Sequence, residues 1–174
     1  MQNNDQEALF KTWLDQYGRL ILKIARAYTV MAEDREDLVQ EILLQMWCSM
    51  SHFEGRSNAS TWVYRVALNT ALGWRRKETK RRAPQVPLIE VEELPGTEEN
   101  HARRLDGEEV VARLYNAIHQ LPKVDAALVL LYLDDLSYRE MAEVLGISES
   151  NVGVKLNRAK QVLADLMKEV THEA

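Results

Sequence analysis

One cysteine, Cys48, stands in 174 residues, so no internal disulfide can brace the fold. Glycine (7) and proline (4) are scarce, which withholds the turn residues that an all-β chain needs at every hairpin. No apolar run approaches the roughly 18 residues of a membrane span, and no secretory signal opens the sequence. Together these absences predict no membrane insertion and a reducing, cytoplasmic location. His52, His101, His119 and His172 share no spacing, so no zinc pattern forms, and Cys48 reads as a small buried residue rather than a nucleophile. No catalytic residue, metal or cofactor is expected.

What the chain does contain is 46% hydrophobic and 28% charged residues, enough for one ordinary domain or two small ones. Apolar residues recur at three and four from Leu9 through Phe10, Trp13, Tyr17, Ile21 and Ile24 to Tyr28, the period of an amphipathic helix that Gly18 divides. Asp34 is placed as the N-cap of a second helix, whose inner stripe is Leu38, Val39, Ile42, Leu43 and Met46. A loop follows over 51–60, and a third helix begins near Ser60 and ends in the cationic run Arg75 to Arg82, stopped by Pro84. A second set of helices restarts at 108. An all-α protein of two small helical domains, 1–83 and 108–174, joined by an acidic linker over 84–107, is therefore expected.

The formal net charge of -5 hides a segregation. Across 62–82, Arg65, Arg75, Arg76, Lys77, Lys80, Arg81 and Arg82 face Glu78 alone, whereas across 84–109 eight carboxylates face Arg103 and Arg104. The sign along the fold, and not the total, decides whether a nucleic acid can bind.

Three constellations carry function. Over 137–160, Ser137 and Glu140 form a capping box, Gly146 stops a short helix and Ser148 caps a longer one, which is helix-turn-helix arithmetic. Such a unit presents its second helix to a major groove, and Ser150, Asn151, Val154, Lys155 and Arg158 lie toward its exposed side. From Phe53 to Arg82, aromatics (Phe53, Trp62, Tyr64, Trp74), small polar residues (Ser57, Asn58, Ser60) and a basic helix end suit unpaired DNA, where bases stack and cations hold phosphates. On the second helix Asp37, Gln40, Glu41 and Leu44, with Trp47 beside them, form a face opposite the core stripe that can dock a partner protein. From the residues alone two other functions stay open: a stand-alone helix-turn-helix regulator, and an all-α metal-dependent nucleotide hydrolase using Glu33, Glu36, Asp37 and Glu41, for which a matching second acidic helix is missing.

The strings Asp37-Leu-Val-Gln-Glu-Ile-Leu-Leu-Gln-Met-Trp47, Phe53-Glu-Gly, Ser60-Thr-Trp-Val-Tyr-Arg-Val-Ala-Leu-Asn69, Leu121-Pro and Ser137-Tyr-Arg-Glu-Met-Ala-Glu-Val-Leu-Gly-Ile-Ser148 resemble bacterial RNA polymerase sigma factors of the extracytoplasmic-function group. The resemblance spans 8–82 and 108–167. It implies a promoter-specificity factor that binds core RNA polymerase and promoter DNA and promotes opening of the duplex, with an anti-sigma factor as a further partner. It places Asp37, Gln40, Glu41, Leu44 and Trp47 at the polymerase. It puts Phe53, Ser57, Asn58, Ser60, Trp62, Arg65, Asn69, Arg75 and Arg76 at the minus-ten element. Ser150, Asn151, Val154, Lys155 and Arg158 fall at the minus-thirty-five element. One departure is Gly153, where many members carry a basic residue.

Overall fold

A computed structural model describes residues 3–55, 57–82 and 105–172, with side chains over 5–55, 57–74 and 107–168. The regular structure of the described residues is helical: α1 (Asn3–Tyr28), α2 (Ala32–Ser49), the short 3-10 turn Met50–His52, α3 (Ala59–Arg82), α4 (Leu105–Gln120), α5 (Lys123–Leu133), α6 (Tyr138–Leu145) and α7 (Glu149–His172). The acidic stretch expected to link the two halves lies outside the described residues up to 104, and α4 begins three residues ahead of the expected boundary.

The first lobe packs α1, α2 and α3 against one another. Its core follows the helical stripes: Trp13, Ile21 and Ile24 from α1, Leu38, Ile42 and Met46 from α2, and Val63, Ala67, Leu68 and Ala71 from α3 are all buried. The small side chains of α3 let the other two helices come close. In the second lobe α7 packs on α4, α5 and α6, with α5 buried through Ala126–Leu131 and α7 through Val152, Leu156 and Ala159.

Three sequence expectations are corrected. Gly18 does not divide α1, because the apolar stripe continues in register on both sides of it and one helix buries Trp13 before it and Ile21 and Ile24 after it. The N-cap of α2 is Met31, in extended geometry and without a side-chain cap, and Arg35 N–H donates to its carbonyl. Cys48 is exposed and not buried, since it stands two residues past Met46, across the helix from the core stripe.

The lobes are not independent beads. Their buried residues join in one core cluster, α1 touches α4, and α3 touches α6. Several polar bonds stitch the seam. Tyr28 O–H donates to the Lys123 carbonyl at 2.8 Å. His119 Nε2–H donates to the Arg26 carbonyl at 2.9 Å, and the Arg26 guanidinium lies 4.2 Å from the centre of the Tyr115 ring. At the opposite end Asp134 accepts from Tyr64 O–H and pairs with Lys23. Beside it Arg65 Nη2 donates to the Glu143 carbonyl at 2.7 Å.

Candidate nucleic-acid interface

The helix-turn-helix is built by α6 and α7. Ser137 Oγ accepts from Glu140 N–H at 3.3 Å while the Glu140 carboxylate accepts from Ser137 N–H at 2.8 Å, so each end of the box satisfies the other's orphan donor. The Ser137 hydroxyl also donates to the Glu140 carboxylate at 2.7 Å, and the bonds to the ionised form hold that carboxyl below its ordinary range, the Ser137 hydroxyl first among them and its backbone N–H second. Gly146 closes α6 at φ +67, a conformation that a Cβ penalises, and its N–H and that of Ile147 both return to the Ala142 carbonyl. Ser148 Oγ then accepts from Asn151 N–H at 3.2 Å and starts α7.

That frame fixes which way α7 faces. Val152, Leu156 and Ala159 are fully buried against the lobe, and this rotates Ser150, Asn151, Val154, Lys155 and Arg158 into solvent together. All five residues expected at a duplex thus share one exposed face of one helix. Lys160, one turn on from Leu156, has its ammonium 3.9 Å from the centre of the Tyr132 ring, a cation–π contact that ties it to α5.

The loop from Phe53 and the helix α3 form the second surface. Gly55 turns the chain at φ +68, Asn58 Oδ1 accepts from Ser60 N–H at 3.4 Å, and the Asn58 carbonyl accepts from Trp62 N–H at 3.1 Å. Asn58, Arg65 and Asn69 are exposed, whereas Ser57 and Ser60 are half-buried. Phe53 differs from a free stacking platform. Its ring lies 5.1 Å from Trp13 and 5.5 Å from Trp62, closing an aromatic triad in which Trp13 and Trp62 are also 5.1 Å apart. Phe53 and Trp62 therefore anchor the loop on α1 and α3, and of its polar residues Asn58 is left exposed. Arg75 and Arg76 lie on α3, with side chains outside the described residues.

On α2, Asp37, Gln40 and Leu44 are exposed, Leu44 to 53%. Glu41 is half-buried and accepts from Gln45 Nε2–H at 3.1 Å. Trp47 packs edge-on against Phe10 at 5.3 Å, and its carbonyl accepts from Gln6 Nε2–H at 3.0 Å, so this indole also supports the α1–α2 contact. Glu41 and Gln45 share an open groove with Asn69, Thr70, Gly73 and Trp74 of α3. The α2 face and the α3 face are consequently continuous. Among the described residues no three His, Cys, Asp or Glu side chains gather where they could hold a metal ion.

Residues 6–81 match the family profile of sigma-70 region 2, and residues 112–163 match that of sigma-70 region 4. The chain belongs to the extracytoplasmic-function sigma factors. It is 27% identical to the ECF RNA polymerase sigma-E factor of Haemophilus influenzae over 94% of this chain and 89% of that one. It is 26% identical to the RNA polymerase sigma-H factor of Pseudomonas aeruginosa over 100% and 93% of the two chains. The fold is similar, with a TM-score of 0.71 and 21% identity, to that of the sigma factor RpoE of Bartonella quintana in its complex with the anti-sigma factor NepR, covering 91% of this chain and 96% of that one. Sigma factors are transcription initiation factors that direct RNA polymerase to promoters, and this chain carries both of the family's regions in order. No helix among the described residues is long and apolar enough to cross a membrane.

The sequence reading missed the seam. Asp134, Lys23, Tyr64, Arg65 and Glu143 meet there from three helices and the turn after α5, and a sequence spacing of 70 residues or more between partners leaves no local signal.

Proposed function

We propose a division of labour between three faces of this sigma factor. The α7 row Ser150, Asn151, Val154, Lys155 and Arg158 reads the minus-thirty-five element as closed duplex, from a domain spanning 108–174. Asn58 and Ser57 of the loop, with Ser60, Arg65, Asn69, Arg75 and Arg76 of α3, hold the minus-ten strand once it is unpaired, while Phe53 and Trp62 shape the loop they stand on. Asp37, Gln40, Glu41, Leu44 and Trp47 dock core RNA polymerase from the same domain, 1–83. The protein needs no catalytic centre of its own and acts in the cytoplasm, where the polymerase is. An anti-sigma factor is a partner of the kind that the Bartonella quintana protein was solved with.

The observation that carries this reading is the rotation of α7: burial of Val152, Leu156 and Ala159 leaves one polar, cationic and apolar face outward in a capped helix-turn-helix. Tests run on holoenzyme reconstituted with core polymerase. Lys155→Ala and Asn151→Ala should weaken promoter binding on paired and on pre-melted templates alike. Asn58→Ala should bind the upstream duplex as the parent does, yet give less permanganate-reactive thymine in the minus-ten region. If the α7 variants select promoters like the parent, or Asn58→Ala opens them like the parent, this division is wrong.

A further inference from the structure

One residue on the reading face is chemically unlike its neighbours. Val154 is 69% exposed, although an apolar side chain gains nothing in water and a β-branched one lowers helix propensity. Its neighbours on the face, Ser150, Asn151, Lys155 and Arg158, are polar or cationic and also exposed. Val154 stands at the middle of that face, four residues from Ser150 and four from Arg158, where a helix entering a major groove meets base edges. On one side it is next to Gly153, which has no side chain. The Tyr138 ring covers that glycine, its Cε2 3.5 Å from where a Cβ would stand. No long side chain therefore rises from position 153 to hold a phosphate or to keep Val154 from the groove floor.

The edges of the base pairs in a major groove are lines of hydrogen-bond donors and acceptors, interrupted by a single apolar group, the C5 methyl of thymine. Ser150, Asn151, Lys155 and Arg158 can each bond an acceptor or a phosphate, but none gains from a methyl group. We propose that Val154 reads a thymine methyl in the minus-thirty-five element, so that one position of that element is chosen by apolar contact rather than by hydrogen bonding. This rests on the assignment of α7 to that element.

The test separates the two. Holoenzyme is used to select upstream duplexes from a randomised pool, and each thymine of the selected element is then replaced in turn by deoxyuridine, which removes the methyl and leaves every hydrogen-bonding group in place. Burial of one methyl predicts a loss of about three- to fivefold in affinity at one position. Val154→Ala should bind the thymine and deoxyuridine duplexes equally, and Val154→Thr, which keeps one methyl on Cβ, should retain part of the difference. The substitution lies on the solvent side of α7, so the thermal melt should be unchanged. A selected element without a deoxyuridine-sensitive thymine, or a sensitivity that survives Val154→Ala, overturns the inference while leaving α7 as the reader. A pool from which no upstream element is selected removes the assignment of α7, and the inference with it.

Discussion

Phe53 is the residue whose meaning changes most between sequence and structure. Alone among polar loop residues it resembles a stacking platform, but its ring completes a triad with Trp13 and Trp62. Phe53→Ala should therefore destabilise the folded protein by about 2 kcal/mol, somewhat less than for a fully buried phenylalanine because Phe53 is half-exposed. Urea denaturation measures it, and a midpoint equal to the parent's would show that the ring is not structural. Asn58 is exposed and its Oδ1 makes only the long bond to Ser60 N–H at the start of α3, so Asn58→Ala should lower that midpoint by less than Phe53→Ala does. The contrast separates loss of strand capture from loss of fold. Aromatic character at 53 was legible in the sequence; its partner on α1, forty residues earlier, was not.

Among the elements, α6 and the turn after it follow their local chemistry closely. Ser137 and Glu140 form the box, Gly146 adopts a positive φ, and Ser148 caps α7, each at the position that the residue type requires. Ser137→Ala should lower the melting temperature by several degrees at neutral pH. Because the Glu140 carboxyl is held below its ordinary range in the folded protein, its share of the stability is present above that range and is lost as the pH falls through the lowered value. The gap between parent and Ser137→Ala should therefore narrow in acid, and melts across pH 7 to pH 3 would show it; a gap of constant size would mean that the carboxylate contributes nothing. Gly146→Ala should be destabilising by about 1 kcal/mol, since the strain comes from φ and not from crowding: nothing lies within 4 Å of its missing Cβ.

The start of α2 was less legible. Asp34 has the side chain of a cap, yet the chain enters the helix three residues earlier, at Met31, whose carbonyl takes the first return bond. Asp34 then falls in the first turn, where its negative charge meets the positive end of the helix dipole. The exposure of Cys48 is legible in the stripe itself, because Leu38, Ile42 and Met46 define the buried side of α2 and position 48 faces away from it.

Over the whole molecule, the sequence announced two helical halves but not that they share a core. Arg65, expected at promoter DNA, is bonded to the Glu143 carbonyl of α6. Asp134 sits between Tyr64 and Lys23, where it holds α1, α3 and the end of α5 together. Asp134→Ala should leave the helical content unchanged while enlarging the solution scattering envelope and raising amide exchange in α6. An envelope identical to the parent's would mean that the apolar seam alone keeps the lobes closed. Burial first, and the bond to Asp134 second, push the Tyr64 hydroxyl above the ordinary tyrosine range. A raised value means that this contribution is intact at and below the ordinary tyrosine pKa, and that strong alkali is needed to remove it.

Three of the bonds across that seam end on main-chain oxygens, those of Arg26, Lys123 and Glu143. A carbonyl is supplied by whichever amino acid occupies the position. Drift in sequence at 123 or 143 would leave its acceptor in place, and position 26 would lose only the guanidinium over Tyr115. The burden of preserving these links across generations falls on the donors, Tyr28, Arg65 and His119. A saturation-mutagenesis map of the closed form should accordingly be lopsided, tolerant on the carbonyl side of each bond and exacting on the other.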